Sequence, residues 1–484
     1  MSHTQDVGRP EGTRAKGQLS VKHDTARSGS NLKVAWLAVV LGAGALGCGG
    51  GGESPSPDGG TPVDSGTPPP KVPNEDGNAL AFSNGGLVVV GSTEANLAQT
   101  GEDVLVRRYT PTGQVDTSFG TGGSVILDFG GPAKGPVSDE REQDDRADTV
   151  AILADGRILV AGFGRAPQTW DARDISLARL TPTGQLDTSF NTTGQLRVHF
   201  GPTDGLEFRA SAHSLLPLAD GRFYVGGFIS KANDLLDEDF ALLRYQANGT
   251  LDTSFTSSGS PAGSWIGSAY TYAESAQGLV LQGTSVVMAG GTDFAAVRIL
   301  TSGSQDLSFG TSGLAKSEGG RAHALAQRPG GGLLLAGERQ EVKIGGTKYG
   351  VLKLVAYTKD GKLDNGFGTA GVRELVAPED ALDVIDVSGL QVLPDGKFLV
   401  YADVRAQPVL FRFQANGDLD TSFGTGGLVR WPKTRLALPF FIRPTSGPKL
   451  AVNGKQAFIT DGNVYSDSII PDGSSQVLFQ STGL

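Results

Sequence analysis

TPTGQLDTSFNTTG, residues 181–194, carries a frame that recurs seven times: a turn glycine, a phenylalanine six residues later and a second glycine ten residues later. The turn glycines are Gly113, Gly184, Gly249, Gly303, Gly361, Gly417 and Gly473, followed by Phe119, Phe190, Phe255, Phe309, Phe367, Phe423 and Phe479. Six copies place an aspartate third after the glycine. The seventh, GSSQVLFQSTG, keeps the frame without the aspartate and stops one residue before the C-terminus. A period of about 58 residues, sustained to the end of the chain, specifies an array of one supersecondary unit.

Each period also holds two apolar runs around a tight turn, as in LADGRILVAG (153–162), QVLPDGKFLVYA (391–402) and AFSNGGLVVVG (81–91). An Asp-Gly, Gly-Gly or Asn-Gly pair between such runs is a hairpin signal and supplies strands one and two. Strand three is the run before the frame glycine, such as ALLRYQ; strand four follows the second glycine, as in GQLRVHF, and since the seventh frame has no run behind it, the last unit is expected to keep three strands or to borrow a fourth from near Pro70–Asp76. No helical period appears after residue 76. The expected fold is all-β: a seven-bladed β-propeller of four-stranded antiparallel blades over residues 77–484, behind a disordered N-terminal segment. LADGRILVAG followed by LARLTPTGQLDTSFN (177–191) resembles the delta-60 repeat of bacteria. That resemblance spans roughly residues 78–484 and implies a β-propeller; it implies no particular activity.

The composition is turn-rich yet able to form a core, with 71 glycines, 25 prolines and 38% hydrophobic residues. The single cysteine, Cys48, ends an apolar run from Val34 to Gly47. That run is too short to span a bilayer but suits the core of a signal peptide. Ala45, Leu46, Gly47 and Cys48 resemble the lipobox of bacterial lipoproteins, which implies lipidation at Cys48; the leucine stands one position closer to the cysteine than in that pattern. Residues 1–47 are therefore read as a signal peptide with a long basic leader. Residues 48–76, half glycine and proline from Gly49 on, read as a tether. The expected address is the bacterial cell envelope, most simply the outer membrane, reached through the N-terminal lipid. Removing residues 1–47, with six basic and three acidic side chains, takes the formal charge from −10 to −13 and disfavours nucleic acid as a partner. A monomer is expected.

Within each frame, counting around the turn pairs the residue four before the glycine with the one two after it. Side chains alternate along a strand, so the neighbouring pair faces the other way. Those neighbours are Arg108 with Asp116, Arg179 with Asp187, Arg244 with Asp252, Arg298 with Asp306 and Arg412 with Asp420; the fifth copy has Ala356 opposite Asp364. They read as ion pairs that set register, with the aspartate capping its own turn.

Alternation also divides the connections into two ends. Turns one-to-two and three-to-four are uniform, whereas two-to-three and unit-to-unit connections are long and varied, and function gathers on varied loops. The varied end is acidic and carries the ligand-binding candidates Asp144, Asp145, Trp170, Asp171, Asp174, Asp237 and Asp239, with the carboxylates otherwise read as a solvated charged surface. No run has the spacing of an oxygen-ligand calcium loop, and His199, His213 and His323 have no metal-ligand spacing. No catalytic residue, cofactor site or metal site is assigned. The reading is a lipid-anchored envelope β-propeller serving as a binding or structural module, with a glycan or envelope protein as partner. The alternative is a propeller enzyme using varied-end carboxylates on a polysaccharide or other envelope substrate.

Overall fold

The computed structural model describes residues 19–24, 75–83, 86–93, 102–111, 114–130, 145–165, 173–202, 208–231, 238–268, 274–342, 348–376, 385–404, 407–430, 450–453, 456–460, 464–468 and 477–481. Among them every regular element is a strand, so no helix there is long and apolar enough to cross a membrane. Strand β1 (Leu19–Asp24) stands apart; the others follow in quartets. The first quartet is β2 (Glu75–Ser83), β3 (Gly86–Thr93), β4 (Asp103–Tyr109) and β5 (Ser124–Leu127). The second is β6 (Arg146–Ile152), β7 (Ile158–Arg165), β8 (Arg173–Leu180) and β9 (Gln195–Pro202), and the third β10 (Phe208–Pro217), β11 (Phe223–Lys231), β12 (Asp239–Tyr245) and β13 (Ser264–Gly267). Next come β14 (Gly278–Gln282), β15 (Ser285–Thr292), β16 (Ala295–Ile299) and β17 (Leu314–Ala315), then β18 (Arg321–Gln327), β19 (Leu333–Val342), β20 (Lys348–Tyr357) and β21 (Val372–Val376). The sixth quartet is β22 (Ile385–Val392), β23 (Phe398–Val404), β24 (Gln407–Phe413) and β25 (Leu428–Arg430); β26 (Leu450–Asn453), β27 (Gln456–Thr460), β28 (Val464–Ser468) and β29 (Val477–Ser481) end the order.

Within each quartet, successive strands pair antiparallel. Three quartets are separate four-stranded sheets, and short bridges join the others into a nine- and an eight-stranded sheet. The first strands touch in cyclic order, β2 to β6, β10, β14, β18, β22 and β26, and β26 touches β2. Apolar residues of consecutive quartets share cores: Val90 and Val106 of the first pack with Val160 and Ala178 of the second.

The hairpin turns follow from their glycines. Gly156 adopts φ +83°, and Leu153 N–H donates to Arg157 O at 2.8 Å, closing a turn that only a residue without a Cβ enters freely. The frame glycine has a second reason to be glycine: a Cβ on Gly249 would lie 2.8 Å from the Phe190 ring of the preceding quartet, and one on Gly417 would lie 2.7 Å from Phe367. Beside that contact the residue after each of Phe119, Phe190, Phe255, Phe309 and Phe367 donates its N–H to the neighbouring quartet's turn, Asn191 to Asn248 O and Gly368 to Asn416 O at 2.8 and 2.9 Å. The phenylalanine of one unit and the glycine of the next are thus two halves of one contact.

The structure departs from the sequence expectation at four places. The last unit was expected to lack a fourth strand, or to borrow one from Pro70–Asp76; instead β29 pairs with β28. In five other copies the frame aspartate turns the chain by accepting the N–H and hydroxyl of a serine two residues on, as Asp187 does from Ser189, and in the fifth copy Asp364 accepts the N–H of Gly366. Gln476 stands there in the seventh copy, and the stretch with Phe479 runs on as strand. In the third copy the glycine that bonds back to the phenylalanine is Gly263, four residues beyond Gly259, because this turn is longer. β2 starts at Glu75, inside the stretch read as tether. Finally, β1 lies within residues 1–47, read as signal peptide without a strand, and pairs along β9. β9 has eight residues where the other fourth strands have two to five, and a long open edge offers unpaired backbone groups to an added strand.

Candidate functional site

At the uniform end the charged residues of the frame are joined. Arg179 Nε donates to Asp187 Oδ2 at 2.7 Å, Arg244 to Asp252 at 2.7 Å, Arg412 to Asp420 at 2.8 Å, Arg108 to Asp116 at 2.8 Å and Arg298 to Asp306 at 2.9 Å. Each guanidinium also lies over its own frame phenylalanine, Arg244 at 4.7 Å from the Phe255 centroid. A third contact crosses to the next quartet: Arg244 Nη1 donates to Thr301 O at 2.7 Å and Arg298 Nη1 to Lys359 O at 2.9 Å. Arg108 reaches Pro182 O, and Arg179 reaches Ala247 O, in the same way.

In the fifth copy, where Ala356 leaves the position empty, Arg328 enters from the first hairpin. It bonds Asp364 at 2.6 Å, covers Phe367 at 5.3 Å and reaches Ala415 O at 3.1 Å. The substitution restores all three contacts from a different strand. Burial disfavours ionisation of Asp187, but Ser189, Arg157 and Arg179 outweigh it and hold the carboxyl far below the ordinary carboxylate range. Ser422, Lys397 and Arg412 do the same at Asp420.

Of the residues singled out in the sequence, Cys48, Asp144, Trp170, Asp171 and Asp237 lie outside the described residues. Asp239 begins β12 and is half-buried. Asp145 and Asp174 were expected on a solvated surface and are instead buried, 6% and 2% exposed. Asp174 sits on β8, where Arg197 of β9 donates to its Oδ2 at 3.2 Å and His199 Nδ1 to its Oδ1 at 2.8 Å. Arg197 also reaches Phe129 O and Gly130 O of the first quartet's edge. Asp145, just before β6, accepts the Phe129 N–H at 2.7 Å. Burial pushes its carboxyl up to about 7, against the Phe129 bond and the nearby Arg197 charge.

One oxygen of Asp145 lies within 4.8 Å of carboxylate oxygens of Asp103, which opens β4, and Asp128, which follows β5. Asp103 is fully buried and Asp128 exposed. The fold therefore gathers three acids from positions 103, 128 and 145 on one seam, and brings Asp174 with Arg197 and His199 beside it.

A second polar set arises from β-bulges. The register of five first strands slips by one residue, and the extra residue is polar each time: Asn78, Asp148, His213, His323 and Ser388. Bulges re-aim side chains out of the pleat. Asn78 Nδ2 donates to Ala147 O of the next quartet at 3.0 Å, and Ser211 Oγ donates to Asp148 at 3.4 Å. His213 Nδ1 accepts from Ser275 Oγ at 2.6 Å and Gln277 Nε2 at 3.2 Å. Burial lowers the His213 pKa to about 4, with Asp148 opposing. For His323, burial is outweighed by the Glu338 bond at 2.8 Å, which keeps it above the ordinary value. Sequence reasoning missed this set, although each member stands eight residues before a hairpin glycine: Gly86, Gly156, Gly221, Gly331 and Gly396.

Residues 83–119, 153–190, 218–255 and 393–423 match the family model described as "Domain of unknown function (DUF5122) beta-propeller". Each match ends on a frame phenylalanine, and the fold is a β-propeller. No curated protein matches the chain. Similar solved structures include the α-L-arabinofuranosidase Arb93A of Fusarium graminearum, at 12% identity and TM-score 0.37, over 69% of this chain and 91% of that one. A glucose dehydrogenase aligns at 14% identity and TM-score 0.38, over 71% and 99%. A protein of unknown function from Dyadobacter fermentans aligns at 9% identity and TM-score 0.34, over 83% and 93%.

Proposed function

We propose that this chain is an exported, lipid-anchored, seven-bladed β-propeller of the delta-60 repeat type that binds an envelope ligand at its varied end. The cyclic contact of the seven first strands supports closure into a ring. The observation that carries the binding reading is the division of labour between the two ends. Every described frame arginine, and Arg328 in its stead, is spent on an aspartate, a phenylalanine or a neighbouring carbonyl, so the repeated charges hold sheets together. The varied end instead carries buried carboxylates and unequal loops, which is where a propeller of otherwise uniform units differs from place to place.

A glycan or envelope protein is the ligand class that Trp170 among Asp171, Asp144, Asp237 and Asp239 would serve, the ring stacking on an apolar face and the carboxylates accepting hydroxyl or amide donors. Cys48 after its apolar run supports export and anchoring, with the envelope as the proposed address, reached through the lipid, and the outer membrane as the proposed site.

Two measurements test this reading. On an array of envelope polysaccharides and peptidoglycan fragments, the wild-type chain should be retained on at least one surface and Trp170→Ala should lose at least tenfold; retention on none, or turnover of a polysaccharide, contradicts a binding module for glycans. In cells fed labelled palmitate, the wild type should carry label and Cys48→Ser should not. Equal labelling of both removes the anchor.

A further inference from the structure

We propose that Asp103, Asp128, Asp145 and Ser176 form a binding site for a hard divalent cation of the calcium class, on the seam between the first and second quartets. Three separate elements deliver the carboxylates: Asp103 begins β4, Asp128 follows β5 and Asp145 precedes β6. One oxygen from each lies within 4.8 Å of the others. Calcium binds oxygen at about 2.3–2.6 Å, so two ligands on opposite sides of one ion stand about 4.8 Å apart, and the three oxygens fit around a single ion.

Two of these carboxylates are almost wholly removed from water, 0% and 6% exposed. Like charges held this close in a low-dielectric seam repel strongly, and a cation between them relieves that repulsion. Asp145 Oδ2 and Asp128 Oδ1 each accept one backbone N–H, from Phe129 at 2.7 Å and Gly130 at 2.6 Å, which orients both acids and leaves each a second oxygen.

Ser176 is the independent observation. This β8 residue is 1% exposed, and its Oγ has no hydrogen-bond partner. That hydroxyl and Asp145 Oδ1 face one small space beside Gly164: they lie 2.7 and 2.6 Å from the point a Cβ there would occupy. A buried hydroxyl without a partner is destabilising, and an ion shared with the adjacent carboxylate would satisfy it. Arg197, the cation on the flank, is turned away toward Asp174 and the carbonyls of Phe129 and Gly130. The donors are all oxygen, with neither imidazole nor thiolate, which selects a hard ion over zinc.

The test uses the full chain, stripped with chelator and titrated with calcium chloride or magnesium chloride, read by calorimetry and thermal unfolding. One calcium per chain should bind and raise the melting temperature by several degrees. Asp128→Asn, at an exposed position that leaves the fold intact, should weaken calcium at least tenfold, and Ser176→Ala should weaken it while leaving the melting temperature in chelator unchanged or higher. No response to calcium, a response to magnesium alone, or unchanged calcium affinity in Asp128→Asn overturns the site.

Discussion

Arg244→Ala should destabilise the protein by about 3–5 kcal/mol, the range for removing one member of a buried ion pair. The Arg244 and Asp252 side chains are 4% and 3% exposed, so the alanine strands a carboxylate out of water. The same change deletes the Ser254 bond at 3.0 Å, the cover over Phe255 and the bond to Thr301 O of the next quartet. Arg222 Nη1 remains 3.3 Å from Asp252 and softens the loss, which places the effect toward the lower end and predicts that removing both arginines costs more than the sum. Arg108→Ala provides the contrast. Its pair with Asp116 is 15% and 21% exposed, and solvent holds the expected cost to about 1 kcal/mol. Urea unfolding of the two variants decides the matter: equal losses would show that burial does not set the strength of the contact.

His213→Gln should remove one contribution to the pH dependence of stability between pH 6.5 and 4, the part that weakens the fold as pH falls. The ring is buried and neutral: Gln277 Nε2 can only donate, so Nδ1 accepts from both Gln277 and Ser275, and Phe228 packs 5.4 Å away. Above pH 6.5 the imidazole is neutral in both states and contributes no pH dependence. Below it the unfolded chain takes a proton that the folded chain refuses until about pH 4, so stability falls as pH drops through this window. The span corresponds to about 3 kcal/mol. Asp145, raised toward 7, works in the opposite direction over much of the same range, because the folded state holds its proton more tightly there. The difference between wild type and variant isolates His213, since Asp145 is common to both. Parallel stability curves from pH 7 to 4 would contradict a neutral buried ring.

Much of the fold was legible because a hairpin fixes its own partners. Counting around Gly184 pairs Leu180 with Leu186, and the bridge is there, as are Tyr109 to Val115, Tyr245 to Leu251 and Phe413 to Leu419. The repeated phenylalanine and glycine were visible as a frame, but their meaning was not: the two residues that touch belong to different units about 60 positions apart, such as Phe190 and Gly249. Arg328 was hidden for the same reason, since nothing local says that an arginine before a Pro-Gly turn replaces the side chain missing at Ala356.

The candidate site shows the limit more sharply. Asp145 and Asp174 stand out in the sequence as loop acids, while their burial, and the pairing of Asp174 with Arg197 and His199, depend on strands that meet only in the folded chain. Asp103 and Asp128 were passed over because each is an ordinary aspartate at a strand end, and only the seam between two quartets brings them to Asp145. The missing fourth strand of the last unit was an error of a different kind. The frame spells a turn in six copies, and only the loss of the turn-making aspartate marks the seventh as strand.

The central proposal is that seven equivalent units close on one another, with the repeated frame as the joint. An experimental structure of the purified chain, viewed down the axis on which the first strands converge, tests it most directly. The account predicts seven sheets, with the strand at 75–83 against that at 450–453 and Phe119, Phe190, Phe309 and Phe367 each lying on the next unit's turn glycine. A gap between first and last sheets, or a count other than seven, would contradict it.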